Sequence, residues 1–218
     1  MDKDRIKTAF LFDLDGVIID SESEYTRIWS LINEEFPTGI ENFATKIKGT
    51  TLSKILTENY SDSTTREKVK NRLHELESQM VYNFLPGAKD FLATLKQKSI
   101  PCVLVTSSDN KKMEHLWEEQ PSLKQFFTHI ITGDQVKSSK PSPEGYLLGA
   151  SLTRVDPKNC VVFEDSLQGV MAGKNSGAYV VGMAGTLPVE TLAPYSHIVV
   201  EGFDDLDIDE LILTLTNR

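Results

Sequence analysis

Short apolar segments that alternate with stretches of helical spacing constrain the fold of this chain more than any other feature of its sequence. Most of these segments are continuous rather than alternating with polar residues, and several are rich in β-branched side chains. Both properties are typical of strands buried on both faces of a parallel sheet. The segments are Ala9 to Phe12, Cys102 to Val105, Ile130 to Ile131, Val161 to Phe163, Tyr179 to Val181 and Ile198 to Val200. Their alternation with helices predicts a doubly wound, Rossmann-like α/β core around a parallel sheet.

One long stretch, residues 21–85, interrupts this alternation and contains no convincing strand. Its apolar residues recur at helical spacing, and Thr64 and Glu67 form a candidate capping box for its second long helix. The sequence therefore predicts an inserted α-helical cap domain at 21–85, and an α/β catalytic core formed by 1–20 and 86–218. Because the insertion follows the carboxyl end of a strand, where α/β sheets bind ligands, we expect a lid over the site. A helical appendage without a role in chemistry is the alternative.

The charge balance narrows the classes of partner. The net charge of −9 argues against binding to nucleic acid or to an anionic membrane surface, since both need basic patches. The segment from Met1 to Lys7 is charged, and no apolar stretch reaches the roughly 18 to 20 residues that cross a bilayer. We therefore expect a cytoplasmic protein with no nucleic-acid or membrane partner, and we expect a monomer. Cys102 and Cys160 lie in apolar segments and are expected to be buried, reduced thiols.

Two of the predicted strands end in pairs of acids. Asp13 and Asp15 follow the first strand and stand two residues apart, so extended geometry points both to the same side. Glu164 and Asp165 follow the fourth apolar segment. Like charges held close in a partly dry site are costly without a cation, so such pairs indicate a hard metal ion or an acid/base couple. A solvated turn is the alternative for each pair.

Groups that bind anions follow two further segments. The residues after the second segment are Thr106, Ser107, Ser108, Asp109 and Asn110. Hydroxyls and free backbone N–H groups at a helix start form an anion site, although simple helix capping is the alternative. Lys140 stands before a Pro-x-Pro sequence, which holds it in an extended, preorganised segment; an ordinary surface lysine is the alternative. Because the carboxyl ends of parallel strands lie at one edge of a sheet, all of these groups are expected to converge there.

Taken together, the four strand ends resemble the four motifs of the haloacid dehalogenase-like hydrolase superfamily. The motifs occur in the family's order: Asp13-Leu14-Asp15-Gly16-Val17, Val105-Thr106-Ser107, Lys140-Pro141-Ser142-Pro143-Glu144 and Phe163-Glu164-Asp165-Ser166. The resemblance extends over nearly the whole chain, and the predicted insertion matches the family's small helical cap. Within the superfamily, the chain most resembles the sugar-phosphate phosphatases and β-phosphoglucomutases.

This resemblance implies a role for each residue. The expected catalytic residues are Asp13 as the nucleophile that attacks phosphorus, Asp15 as the general acid and base, and Lys140. The expected cofactor is Mg²⁺, bound by the Asp13 carboxylate, the Asp15 backbone carbonyl and Asp165, with Glu164 in support. The residues expected to bind the phosphoryl group and the substrate are Thr106, Ser107, Ser108, Asn110 and Lys140 in the core, and Lys48 and Gly49 in the cap.

The implied activity is magnesium-dependent hydrolysis of a small phosphorylated metabolite, such as a sugar phosphate, through a phosphoaspartate. A β-phosphoglucomutase that interconverts β-glucose 1-phosphate and glucose 6-phosphate is the alternative. Two departures from the mutase pattern favour hydrolysis: the stretch from Lys48 to Lys54 lacks an arginine, and Asp109 stands where the mutase has a lysine. A phospho-receiver domain fits less well because of the inserted lid and the Asp13-x-Asp15 spacing. A binding protein with an inactive site also fits less well, because no essential residue is missing.

Overall fold

A single parallel sheet forms the centre of the computed structural model, which describes residues 7–217. Within these residues the strands are β1 (Ala9–Phe12), β2 (Cys102–Val105), β3 (His129–Ile131), β4 (Cys160–Glu164), β5 (Tyr179–Met183) and β6 (Ile198–Val200). All neighbouring strands pair in parallel, in the order β3-β2-β1-β4-β5-β6. This is the strand order of a doubly wound Rossmann-like sheet, so the predicted fold class is confirmed.

Helices cover both faces of the sheet. They are α1 (Glu22–Glu35), α2 (Phe43–Lys46), α3 (Leu52–Asn59), α4 (Ser63–Glu77), α5 (Ala88–Gln97), α6 (Asn110–Glu119), α7 (Glu144–Thr153), α8 (Leu167–Ser176), α9 (Val189–Leu192) and α10 (Ile208–Thr216). Short 3₁₀ turns lie at Leu123–Phe126, Gly133–Gln135, Pro157–Asn159 and Phe203–Asp205. The four central strands, β1, β2, β4 and β5, are buried on both faces because helices lie on each side, which explains why their sequences do not alternate with polar residues.

The side chains of β1 divide between two apolar clusters, one on each face of the sheet. Phe10 and Phe12 point into the larger cluster, and Leu11 points into the smaller one against α7 and α8. In the larger cluster Phe12 stacks on Phe163 of β4, with ring centroids 4.5 Å apart. This aromatic layer lies directly beneath the ends of β1 and β4, so it fixes the two strand ends that carry acids.

Between β1 and α5 the chain leaves the sheet and forms α1 to α4. The two connecting segments run side by side: the Asp20 N–H donates to the Asn83 carbonyl and the Leu85 N–H donates to the Ile18 carbonyl, each at 2.9 Å. Ile19 also forms an isolated antiparallel bridge with Phe84. The helices therefore leave and rejoin the core through one narrow, paired neck. The domain boundaries at 21 and 85 fall close to this neck and stay a prediction.

One local prediction in this region is wrong. Helix α4 begins at Ser63, and the side chain of Asp62 caps it by accepting a hydrogen bond from the Thr65 N–H at 2.7 Å. The predicted capping box at Thr64 and Glu67 therefore does not form, because Asp62 occupies the N-cap two residues earlier.

Three further sequence expectations meet the structure only in part. In the described part of the chain, no helix is long and apolar enough to cross a membrane. The charged segment from Met1 to Lys7 lies, except for Lys7, outside the described residues. Cys102 and Cys160 are buried and are not joined in a disulfide.

Candidate active site

The acids and hydroxyls predicted to converge do meet at the carboxyl edge of the sheet. The ladder continues one residue past the strands, since the Asp13 N–H donates to the Phe163 carbonyl at 3.0 Å and the Thr106 N–H to the Ile131 carbonyl at 2.9 Å. The central position of β1, between β2 and β4, brings three strand ends together. The backbone pairing of the parallel strands is therefore enough to bring the site residues together at one edge of the sheet.

Lys140 ties two of these strand ends together. Its Nζ donates to Asp13 Oδ1 at 2.8 Å and to Glu164 Oε1 at 2.5 Å, while its side chain is almost completely buried. The Tyr146 hydroxyl donates to the same oxygen of Glu164 at 2.6 Å. Burial opposes the charged form of Lys140, but the two carboxylates outweigh it and raise its pKa above the ordinary value. The lysine is therefore a fixed, permanently charged group beside Asp13.

The acids of this edge form a tight cluster. One carboxylate oxygen from each of Asp13, Glu164 and Asp165 lies within 4.8 Å of the others, and all three residues are buried. Burial raises the pKa of Asp13 to about 7, with Lys140 opposing this shift and Glu164 adding to it. Burial, followed by the charges of Glu22, Glu164 and Asp13, raises the pKa of Asp165 well above its ordinary value. A group of carboxylates held at such cost indicates a missing positive charge.

This donor set fits Mg²⁺. Lys140 neutralises one of the three negative charges, so two remain, which a divalent cation balances. The donors are oxygen atoms of carboxylates, the ligands that this hard cation prefers. Glu164 already accepts hydrogen bonds from Lys140, Tyr146 and the Ser166 hydroxyl, whereas within residues 7–217 the Asp165 side chain accepts only from the Thr186 hydroxyl. Asp13 and Asp165 are therefore the better candidates for direct ligands, with Glu164 holding the cluster in place.

Asp15 lies on the other side of the same cavity, in a shell of three donors. Ser21 donates to its Oδ1 at 2.5 Å, and Lys112 and Ser108 donate to its Oδ2 at 2.5 and 3.1 Å. Burial alone raises the pKa of Asp15, but the charge and hydrogen bond of Lys112, together with the two hydroxyls, outweigh it and lower the pKa. Asp13 and Asp15 thus have opposite electrostatic environments two residues apart.

Lys112 is a site residue that sequence reasoning missed. It lies on the first turn of α6, is nearly inaccessible, and its Nζ is 4.3 Å from the centroid of the Tyr25 ring. A signal was present, because Lys112 precedes the buried Leu116 by four residues and therefore shares its helix face. What the sequence did not provide was the direction of that face, which points toward the cap.

The cap closes the cavity over these groups. Gly49 places its carbonyl 2.8 Å from the Ser107 hydroxyl, which donates to it. Gly49 has a φ of +74°, and a Cβ there would come within 2.6 Å of Ser166 Oγ, so only glycine allows this close approach. Lys48 forms an ion pair with Glu22 of α1. Glu22, unlike Lys48, is a second site residue that sequence reasoning missed. The cavity beneath the cap has a volume of about 100 Å³ and is lined by Asp13, Asp15, Lys48, Gly49, Ser107, Ser108 and Asp165, among others.

Three predicted binding residues do not line this cavity. Thr106 and Lys140 line a smaller cavity of about 20 Å³ next to it. Thr106 Oγ1 accepts a hydrogen bond from the Ser108 N–H at 3.0 Å. The Asn110 side chain accepts from the Thr132 hydroxyl at 2.9 Å, and its N–H donates to Asp134. Thr106 and Asn110 thus stabilise the loop and the start of α6 here, and their role as phosphate-binding residues stays a prediction.

Comparison with known proteins agrees with this geometry. A family model described as haloacid dehalogenase-like hydrolase matches residues 10–183. The chain therefore belongs to the haloacid dehalogenase-like hydrolases, and both the predicted family and the prediction of an enzyme of this class are confirmed.

Individual relatives narrow the comparison. The chain is 34% identical to a phosphorylated carbohydrates phosphatase of Thermotoga maritima, over 78% of this chain and 81% of that protein. It is 31% identical to hexitol phosphatase A of Escherichia coli, over 80% and 82% of the two chains. Among solved structures, a β-phosphoglucomutase from Clostridium difficile superposes with a TM-score of 0.78 at 26% identity, covering 98% of this chain and 100% of that one.

Proposed function

We propose that this chain is a magnesium-dependent phosphatase that hydrolyses a small phosphorylated metabolite, of the sugar-phosphate kind, through a phosphorylated Asp13. The observation that carries the proposal is the arrangement of Asp13: its carboxylate is held by Lys140, belongs to the acidic cluster and shares one cavity with Asp15. The relatives named as phosphatases of phosphorylated carbohydrates and hexitols support the same substrate class.

The chain's own residues account for two chemical steps. In the first, an Asp13 carboxylate oxygen forms a bond to phosphorus as the bond to the leaving oxygen breaks, and Asp15 delivers a proton to that oxygen. In the second, Asp15 takes a proton from a water molecule, which attacks phosphorus and breaks its bond to Asp13. Inorganic phosphate leaves and the free carboxylate of Asp13 is restored. Lys140 neutralises negative charge on the transferring group throughout.

A bound Mg²⁺ supplies further charge neutralisation for the phosphoryl oxygens. Asp13 and Asp165 are positioned to hold it, while Glu164 stays engaged by Lys140 and Tyr146. The cap covers part of this polar cluster and so reduces its contact with bulk water, which strengthens these electrostatic interactions.

The test of the proposal is phosphate release from p-nitrophenyl phosphate and from a panel of sugar and polyol phosphates, with and without Mg²⁺. We expect Asp13→Asn to lose several orders of magnitude in rate, because an amide is a poor nucleophile. Asp20→Asn, an exposed aspartate seven positions later, is the matched control. Retention of more than roughly a tenth of the wild-type rate by a folded Asp13→Asn variant would show that Asp13 is not the nucleophile.

The similarity to a β-phosphoglucomutase makes a mutase the second candidate. β-Glucose 1-phosphate, supplied with Mg²⁺ and a trace of the 1,6-bisphosphate, separates the two activities. A phosphatase releases inorganic phosphate from it, whereas a mutase forms glucose 6-phosphate with little free phosphate. We expect phosphate release, because the cap loop from Lys48 to Lys54 has no arginine to hold a second phosphate.

A further inference from the structure

The part of the cavity that faces the cap contains charges that the proposed chemistry does not use. Its lining includes Glu22, Glu77 and Asp109 together with two lysines, Lys48 and Lys112. Both lysines are already paired, Lys48 with Glu22 and Lys112 with Asp15. An incoming anion therefore meets no unpaired cation on this side of the cavity.

The acids on this side differ in how fully they are bonded. Asp109 has both oxygens engaged: Oδ1 accepts from the Lys112 N–H and Oδ2 contacts His74 Nε2, each at 2.9 Å. Glu77 has a single donor, the Tyr25 hydroxyl, which is 2.8 Å from Oε1. Among the described residues no hydrogen bond reaches Glu77 Oε2, and this oxygen is not one of the fully enclosed unpaired atoms, so it is open to the cavity that Glu77 lines. A carboxylate oxygen that faces a cavity without a protein donor is free to accept a hydrogen bond from a ligand.

The remaining wall of the cavity is apolar. Trp29, Leu52, Ile55 and Leu73 line it, all from cap helices. A leaving group in this space has its carbon skeleton against apolar side chains while its polar substituents reach Glu77. This combination of an apolar wall and a few convergent polar groups is typical of sites that orient a small organic molecule.

We propose that Glu77 selects the leaving group, by accepting a hydrogen bond from one of its hydroxyls and by rejecting esters that carry a second anion. The substrate class is then a phosphomonoester of a neutral, hydroxylated compound, and phosphocarboxylates and bisphosphates are excluded. This inference rests on the proposed phosphatase function and deepens it.

The physical reason is the energetic asymmetry between a hydroxyl and an anion at this position. A hydroxyl satisfies the open oxygen of Glu77, whereas a carboxylate or phosphate places like charges together in a poorly solvated cavity. Such repulsion excludes the wrong ligand without requiring extra contacts to the right one. A mutase that rebinds a bisphosphate needs the opposite, a free cation at this position.

Matched substrate pairs test the inference. Sorbitol 6-phosphate and 6-phosphogluconate differ only at the carbon farthest from the phosphate, which carries a hydroxyl in one and a carboxylate in the other. Glycerol 3-phosphate and 3-phosphoglycerate form the same comparison on a shorter skeleton. We expect the wild-type kcat/KM to favour the neutral member of at least one pair by roughly 10- to 100-fold, at about pH 8 where Glu77 is ionised.

Variants then assign the discrimination to Glu77. Glu77→Gln keeps the size of the side chain and an acceptor for Tyr25 but removes the charge, so the ratio within the pair should narrow by about tenfold. Because the readout is a ratio within each variant, a general loss of activity cancels. Glu75→Gln, on the exposed face of the same helix, is the matched control and should leave the ratio unchanged. Glu77→Met is a second neutral variant, for use if Glu77→Gln does not fold.

Two results would overturn the inference: a wild-type enzyme that hydrolyses both members of each pair equally well, or neutral variants at Glu77 that keep the wild-type ratio. Turnover of p-nitrophenyl phosphate with Mg²⁺ distinguishes these failures from failure of the proposed function. If that ester is hydrolysed but the kcat/KM values of the neutral and the anionic member of each pair are equal, only the role of Glu77 is wrong. If it is not hydrolysed, the phosphatase proposal fails and the inference falls with it.

Discussion

At the scale of single residues, the two aspartates of the first motif have the same side chain but opposite pKa shifts, because their surroundings differ. Asp13 lies among acids with one lysine, and its pKa is raised to about 7, with burial as the main cause. Asp15 lies among donors, and Lys112 and two hydroxyls lower its pKa against the effect of burial. These directions describe the site without metal or substrate. A cation beside Asp13 would lower its pKa and keep the nucleophile ionised, and the charge of a bound phosphate would raise the pKa of Asp15 toward that of a proton donor.

Lys112 should matter because it fixes Asp15. We expect Lys112→Met to reduce kcat/KM on an alkyl phosphate by roughly 10- to 100-fold, since misplaced general acids lose most of their effect. The loss on p-nitrophenyl phosphate should be much smaller, because its leaving group needs little protonation. Asp15→Asn should show the same dependence on the leaving group. Lys111→Met, an exposed neighbour on α6, serves as the control, and equal losses on both substrates would argue that Lys112 has only a structural role.

Glu77 should make stability depend on pH. Burial raises its pKa from 4.5 to about 7, so the folded chain holds a proton that the unfolded chain releases above pH 4.5. Its contribution to stability is thus complete below pH 4.5 and is lost as the pH rises to 7. Glu77→Gln cannot ionise, so its free energy of unfolding should rise relative to wild type by up to about 3 kcal/mol across this range. Urea unfolding at several pH values measures the difference, which should stay constant for Glu75→Gln.

At the scale of elements, the sheet was the predictable part of the molecule. The predicted segments at β1, β2 and β6 coincide with the strands observed. For β1 and β2 the reason is that strands buried on both faces need continuous apolar residues. The four motifs were also predictable: three lie at the carboxyl ends of β1, β2 and β4, and Lys140 lies in the loop before α7. Lys112 and Glu77 were not, because both lie on helices where a charged residue ordinarily faces solvent. Their burial depends on how α4 and α6 pack across the neck, which no local pattern specifies.

Helix α8 packs against β4 closely enough to hold the acidic cluster. A Cβ on Gly169 would lie 1.9 Å from the Glu164 carboxyl carbon, so Gly169→Ala must displace either the helix or the carboxylate. We expect destabilisation of about 1–3 kcal/mol, as for other overpacked positions, together with a raised Mg²⁺ requirement for activity. Gly185→Ala is the control, because nothing lies within 4 Å of a Cβ there. Unchanged thermal unfolding and Mg²⁺ dependence for Gly169→Ala would show that the packing is looser than described.

At the scale of the whole molecule, part of the acidic excess of the chain lies in the candidate active site. The net charge is −9, and the carboxyl edge of the sheet holds Asp13, Glu164 and Asp165 against the single charge of Lys140. Such clustering lowers the stability of the metal-free fold, since like charges in a buried site repel one another. The cap adds to this repulsion, because the charge of Glu22 on α1 contributes to the raised pKa of Asp165.

Binding of Mg²⁺ should therefore stabilise the entire fold. A ligand that binds only the folded state adds about 2.7 kcal/mol at a hundredfold excess over its Kd, which for a chain of this size raises Tm by roughly 5–10 °C. Asp165→Asn should act in two directions at once: it removes one crowded charge, so the metal-free protein melts at a higher temperature, and it removes a ligand, so the Mg²⁺ shift shrinks. Asp20→Asn, at an exposed aspartate, should neither raise the metal-free Tm nor reduce the Mg²⁺ shift.

Melting curves at constant ionic strength, with NaCl replacing MgCl₂, separate specific binding from screening. A Mg²⁺ shift of wild-type size in Asp165→Asn would place the cation elsewhere, whereas an unchanged metal-free Tm would mean that the cluster is already relaxed by protonation.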